Sequence, residues 1–347
     1  MTVLTGLAAL AALAAAQADA PTLEARLEAV IDRTEGFSGL VLVGRGEETL
    51  AELRRGLAHM PEGRPLAEGD VWRYASITKQ MTGVLVMQEV EAGRLSLGDR
   101  LAELLPDREL GAAGATTVEQ LLRHTSGLRD LDDLTVEEYS TGFEPVDWCL
   151  QASDGRPGER FEYNNCDFVA LGVLLEQSSG RPWDVLMRER LFEPAGMSTA
   201  VASGGVDGVE GHDEAGAVYV HAPLTSYGAS GGAVGEPRDL LRFNAALMDG
   251  TYLGEAALAR LWEGEPSLGY VALGAWSFSA PLDGCEGAVR LIERRGSIGG
   301  VNARNLIAPD LGLSLVIFSN TPAFQFGEIW MGQGGSYELA SAAFCVG

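Results

Sequence analysis

The chain has 347 residues, with 25 Lys and Arg against 49 Asp and Glu and a formal net charge of −24. That balance excludes a nucleic-acid binder or an anionic-membrane binder, since both need basic patches; acidity of this kind serves solubility. An apolar share of 46% is that of a globular protein with a large core, and the length is too short for three domains.

Taken in chain order, residues 1–18 read as a secretory signal peptide. Positions 3–16 form an uncharged Ala/Leu-rich stretch too short to span a bilayer comfortably, and Ala16-Gln17-Ala18 fits a small-x-small cleavage site, although no basic residue precedes the stretch. The mature protein is therefore expected to be exported, periplasmic or secreted. Residues 23–32 carry apolar positions at helical spacing, and 38–44 with 49–56 read as a hairpin turning at Gly46. A strand is expected at 72–75. From 77 to 90 the chain is apolar on nearly every side, as expected of a buried helix, and Gly93 stops it.

Residues from about 100 to 265 read as mostly helical. Thr117-Val118-Glu119-Gln120 is a capping box, and further helices are expected at 167–177, 183–192, 237–248 and 255–262. Strand patterns return at 268–278, 288–294, 301–308 and 313–319, followed by a helix over 336–344. Strand-rich ends around a helical middle predict an α/β (α+β) fold. One α/β lobe is assembled from about 19–100 and 266–347, and a helical lobe of about 101–265 is inserted between them. Cys149, Cys166, Cys285 and Cys345 show neither CxxC spacing nor a neighbouring His, so a zinc site is not expected. Pairing within lobes gives 149–166 and 285–345; four buried thiols are the other reading.

The chemistry gathers around Lys79, the only lysine of the chain; every other basic side chain is arginine. An amine with a lowered pKa can act as a base, whereas guanidinium cannot. Ser76 stands three residues earlier, on the same face of the expected helix and near its N-terminus, where free N–H groups point at a reacting centre. A serine hydroxyl needs such a neighbour to become a nucleophile.

Three further segments follow in order: His124-Thr125-Ser126-Gly127-Leu128, then Tyr163-Asn164-Asn165, then Arg294-Arg295-Gly296-Ser297-Ile298-Gly299-Gly300. Together with Ser76-Ile77-Thr78-Lys79 they resemble the penicillin-recognising serine hydrolases: class C β-lactamases, D-alanyl-D-alanine carboxypeptidases and related esterases. The resemblance covers about residues 36–320. It implies a β-lactamase/transpeptidase-like fold, an antiparallel sheet flanked by helices with an inserted helical lobe. It also implies a catalytic set of Ser76, Lys79 and Tyr163. The oxyanion-binding N–H groups would be those of Ser76 and Ser297, with Asn165, Arg294 and Gly296 bordering the substrate. No metal or other cofactor is implied.

Either Lys79 or the Tyr163 phenol could take the Ser76 proton, the phenol because nearby cations favour phenolate. Arg294 departs from the Lys or His of the family; it keeps the charge and can hold a carboxylate, but cannot serve as a general acid. His124 reads as structural, capping a helix and packing between lobes, and His59, His212 and His221 have no supporting context. The function expected is hydrolysis of an ester or amide through an acyl-Ser76 intermediate, in the manner of an esterase or a D-amino-acid peptidase. A β-lactamase, or a non-catalytic sensor of cell-wall fragments or β-lactams, is the alternative. Small-molecule esters, peptides or β-lactams are the expected partners, and neither nucleic acid nor a metal is. Oligomeric state is not legible.

Overall fold

The computed structural model describes residues 21–134, 144–152 and 155–345; the expected signal peptide at 1–18 lies outside the described residues. Eleven strands occur in it: β1 (Gly39–Arg45), β2 (Glu48–Arg55), β3 (Leu57–His59), β4 (Arg64–Pro65), β5 (Trp72–Arg73), β6 (Ala200–Val201), β7 (Ala233–Gly235), β8 (Trp276–Pro281), β9 (Ala288–Ile298), β10 (Val301–Ala308) and β11 (Leu313–Ser319). Six of them make one antiparallel sheet in the order β2-β1-β11-β10-β9-β8. The two strands nearest the N-terminus thus pair beside the last strand of the chain, and the sheet is built from both ends.

Both faces of that sheet are covered. Along β1, Val41 and Val43 enter one core with Leu27, Ile31, Leu339 and Phe344, while Leu40 and Leu42 enter the other with Trp72, Ile77 and Phe318. Side chains of a strand alternate faces, so a run buried on both sides reads as continuous apolar sequence rather than as alternation. Helices Leu23–Ile31 and Gly335–Phe344 supply the first cover. The second includes helix Thr78–Glu91, buried on nearly every side, and helix Pro237–Met248, whose Leu241 meets Gly44 of β1.

The helical middle contributes Val118–Leu122, with the expected capping box, and Cys166–Ser179, which ends at Gly180 in the left-handed region (φ 69°). One expected strand is shorter than its pattern. Of residues 268–278 only Trp276 onward belongs to β8. Gly269 and Tyr270 take left-handed φ values of 68° and 65° and Gly274 one of 87°, which no ladder accommodates. Both cysteine pairings are present: Cys149–Cys166 (Cα–Cα 5.0 Å) ties helix Pro145–Cys149 to the start of Cys166–Ser179, and Cys285–Cys345 (4.8 Å) ties the β8–β9 turn to the last helix. No helix among the described residues is long and apolar enough to cross a membrane.

Candidate active site

Ser76 lies in a 3-10 turn, Ala75–Ile77, rather than in the first turn of the helix proper, which begins at Thr78. Ala75 holds φ at 47°, a conformation rare for a residue with a Cβ. The Thr78 hydroxyl donates to the Ala75 carbonyl (2.7 Å), fixing the turn. Strand β9 runs against it: a Cβ on Gly296 would sit 2.3 Å from the Tyr74 carbonyl oxygen. Only glycine permits that approach, so Gly296 makes room for the turn that carries Ser76. At Gly299 and Gly300 the chain reverses with positive φ, and the rings of His221 and Tyr219 lie over that reversal.

Lys79 is wholly buried, and its ammonium donates to three acceptors: Ser76 Oγ (3.1 Å), Asn165 Oδ1 (2.7 Å) and the Ser230 carbonyl (2.9 Å). A 2.6 Å hydrogen bond joins Tyr163 Oη to Ser76 Oγ. Arg294, 1% exposed, donates from Nε to the Ser76 carbonyl (2.8 Å) and from Nη2 to Tyr163 Oη (3.1 Å). Lys79 and Tyr163 therefore meet at the Ser76 hydroxyl, and Arg294 joins the set through the Ser76 carbonyl and the Tyr163 hydroxyl.

Their charge states follow from position. Burial pushes the Tyr163 phenol up, but the cations of Lys79 and Arg294 and the hydrogen bonds to Lys79 and Ser76 outweigh it, and its pKa lies below the ordinary tyrosine value. Burial lowers the pKa of Lys79; the Tyr163 charge opposes this and Arg294 adds to it.

The segment before helix Cys166–Ser179 is anchored at each residue. Glu162 N–H donates to the His124 carbonyl (2.8 Å), Asn164 Nδ2 to the Leu128 carbonyl (2.7 Å), and Asn165 N–H to Asp130 Oδ1 (3.0 Å). Asn165 stands at the N-cap position, yet the side chain that caps is that of Asn164, whose Oδ1 accepts from Asp167 N–H (3.2 Å). This frees Asn165 to hold Lys79 and, through Nδ2, Asp132 (3.3 Å).

His124 is buried behind Tyr163, ring centroids 4.6 Å apart, and its left-handed backbone (φ 56°) follows the end of helix Val118–Leu122. Its Nδ1 lies 3.0 Å from Asp167 Oδ2 and accepts from Asn164 N–H (3.3 Å). An accepting Nδ1 leaves the shared hydrogen on Asp167. Burial raises the Asp167 pKa well above the carboxyl range, and burial, Arg294 and Lys79 hold the His124 pKa far down. Both shifts favour the neutral forms, and the pair lies against the Tyr163 ring from behind.

These groups open into a cleft of about 420 Å³ lined by Ser76, Tyr163, Asn165, Arg294, Gly296 and Ser297, all expected from sequence. Asp132, Tyr227 and Trp276 also line it, and Ser230 supports it; none of these four carries a motif. They come from turns and a strand start brought in by tertiary folding, so no local signal marks them. Among the described residues no group of three or more His, Cys, Asp or Glu could hold a metal. The arrangement can withdraw the proton of a serine hydroxyl next to buried positive charge.

Fold and site together define a β-lactamase/transpeptidase-like protein. The chain belongs to the Beta-lactamase family, whose description it matches over residues 23–330. It is 27% identical over 321 residues to a D-aminopeptidase of Cereibacter sphaeroides (strain ATCC 17029 / ATH 2.4.9), an alignment covering 88% of this chain and 61% of that one. It is 31% identical over 205 residues to esterase EstB of Burkholderia gladioli, covering 52% of this chain and 51% of the esterase. The chain thus spans roughly half to three fifths of the length of these two relatives. A crystal structure of D-amino acid amidase from Ochrobactrum anthropi SV3, complexed with L-phenylalanine amide, superposes with a TM-score of 0.73 at 22% identity. It covers 92% of this chain and 97% of that one, and shows the common fold.

Proposed function

We propose that the protein is an exported serine hydrolase that cleaves esters or amides through an acyl-Ser76 intermediate. The observation that carries this reading is the position of Ser76 Oγ, 3.1 Å from Lys79 Nζ and 2.6 Å from Tyr163 Oη at the floor of an open cleft. A general base must lie within hydrogen-bond reach of the proton it takes. Lys79 spends three donors on three acceptors, which suits an ammonium. The phenolate of Tyr163, favoured by two cations, then receives the Ser76 proton. Oγ bonds to the carbonyl carbon, and the carbonyl π pair moves to oxygen, facing the N–H groups assigned to Ser76 and Ser297. Collapse expels the amine or alcohol, which takes the proton from Tyr163. Water repeats the sequence and frees Ser76.

Relatives named as an aminopeptidase and an esterase support amide and ester substrates, and amides and esters of D-amino acids are the first to try. Two disulfides support an oxidising compartment and hence export. The test is incubation with a fluorescent penicillin and with a fluorophosphonate, followed by intact-mass measurement and peptide mapping. Adduct on Ser76 supports the reading, and the two labels sort a lactam-accepting site from an esterase-like one. No adduct on Ser76 with either reagent, together with no turnover of D-amino-acid p-nitroanilides or p-nitrophenyl esters, overturns it.

A further inference from the structure

Arg294 is a buried cation without a carboxylate partner among the described residues: its hydrogen bonds go to a carbonyl and a phenol. A buried charge left in that state is costly unless something else stabilises it. Two aromatic faces do. The guanidinium carbon of Arg294 lies 5.4 Å from the Tyr163 ring centroid and 5.2 Å from that of Trp276. Beyond Trp276 the pattern repeats. Arg295 lies 5.7 Å from the Trp276 ring and 4.9 Å from the ring of Trp330, which is about half exposed. Rings and guanidinium groups alternate from the phenol beside Ser76 to the surface. Arg295 is neutralised by Glu293 (3.0 Å) and Glu328 (2.8 Å), so the outer rung is anchored.

We propose that Trp276 is a positioning residue: its ring, in contact with two guanidinium groups, keeps Arg294 seated against Tyr163 and the main chain of Ser76. Guanidinium is planar and more weakly hydrated than an ammonium, which suits it to lie against aromatic rings in a desolvated site, and the ladder is the device that lets arginine occupy this position. Without the ring, Arg294 can withdraw toward the cleft and its charge moves away from the phenol. The groups that face Tyr163 are then Lys79 from helix Thr78–Glu91, Ser76, and neutral His124 behind the ring. Asp130 and Asp132 act on Lys79 from the far side, and Glu293 and Arg295 flank Arg294 along β9.

The inference rests on the acyl-Ser76 reading for its consequence in catalysis, but its test reads Tyr163 without substrate. Tyrosinate absorbance is titrated in wild type, Trp276→Leu, Trp276→Met and Trp276→Phe, each against its own Tyr163→Phe partner, so that only residue 163 is seen. An opposite charge nearby shifts a group by about one unit or more. We therefore expect Tyr163 to titrate about one pH unit higher in Trp276→Leu and Trp276→Met, and Trp276→Phe to stay near wild type. With any substrate that acylates Ser76, the acid limb of kcat/KM moves up by the same amount, a shift that a merely structural ring would not produce. An unchanged Tyr163 titration in whichever ring-less variant unfolds cooperatively overturns the proposal, as does a Phe variant shifted as far as the Leu variant. Absence of labelling on Ser76 with the titration shift present would sink the functional reading and leave the positioning role standing.

Discussion

Gly296→Ala tests how the nucleophile is held. The added Cβ would lie 2.3 Å from the Tyr74 carbonyl oxygen, 3.3 Å from its carbon and 3.4 Å from the Ala75 Cβ. A carbon and a carbonyl oxygen approach to about 3.3 Å, so the two chains must part by about 1 Å. Neither yields easily. At this point β9 is held by β10, where Gly296 pairs with Ala303, and Tyr74 is fixed by its N–H to the Ala233 carbonyl (3.0 Å) and its hydroxyl to the Glu236 carbonyl (2.5 Å). Overpacking of this size costs about 1–3 kcal/mol of stability. Displacing a nucleophile by about 1 Å costs about a hundredfold in rate, close to 2.7 kcal/mol in the barrier. Stopped-flow acylation with a p-nitrophenyl ester should show a fall of about that size in kcat, with little change in KM, and thermal unfolding should show a lower Tm. A variant with wild-type kcat and Tm would mean that the contact between β9 and the Ser76 turn is slack.

Other outcomes follow from single contacts. Ser76→Ala should abolish covalent labelling while changing stability by less than about 1 kcal/mol, and Lys79→Arg should inactivate because guanidinium neither fits three acceptors set for an ammonium nor exchanges a proton; full activity in Lys79→Arg would reduce Lys79 to a charge. Replacing Cys149 and Cys166 by Ser opens a cross-link with a sequence separation of 17 and should lower the unfolding free energy by about 3 kcal/mol on the chain-entropy model, read by denaturant titration. Glu89 is buried and accepts from Arg94 (two bonds of 2.7 Å), Arg190 and Ser178. Burial raises its pKa, but these donors outweigh burial and depress it to about 2. A depressed folded pKa gives stability that is present above the ordinary carboxyl value and lost as pH falls. Glu89→Gln should therefore lower Tm at neutral pH, with the gap to wild type closing between about pH 4.5 and about 2; a gap independent of pH would assign Glu89 a packing role only.

Much of this molecule is written in local pattern. The helix over Thr78–Glu91 shows as a run with apolar residues on nearly every side, the bounds of Pro237–Met248 follow from a proline start, and the ends of β10 and β11 coincide with the pattern. Ser76, Lys79, Tyr163 and Asn165 stand in motifs, and the structure brings them together. What sequence does not show is where a local rule gives way to a tertiary contact. Ala75 adopts a left-handed φ because β9 and the Thr78 hydroxyl fix the turn around it. Trp276 looks like one more apolar residue of a strand run, since cation–π partners have no fixed spacing. Asn165 stands at the N-cap position, and its side chain is left for Lys79 because the neighbouring Asn164 caps instead.

The two buried cations explain why these pieces belong together. Lys79 and Arg294 are fully buried, and neither forms an ion pair with a carboxylate among the described residues. In a chain with 49 acidic side chains, that lack of a counter-ion is a local property of the cleft. An uncompensated positive pair in a desolvated site favours whatever negative charge forms beside it. In the proposed reaction that charge is first the Tyr163 phenolate and, once the phenolate takes the Ser76 proton, the oxygen of the tetrahedral adduct. A carboxylate placed beside Lys79 or Arg294 would neutralise that preference while leaving the hydrogen bonds to Ser76 in place. Arginine at 294 preserves the charge and gives up proton exchange, so in the proposed reaction proton transfer falls to Tyr163, and charge stabilisation is shared between Lys79 and a guanidinium that has the rings of Tyr163 and Trp276 beside it.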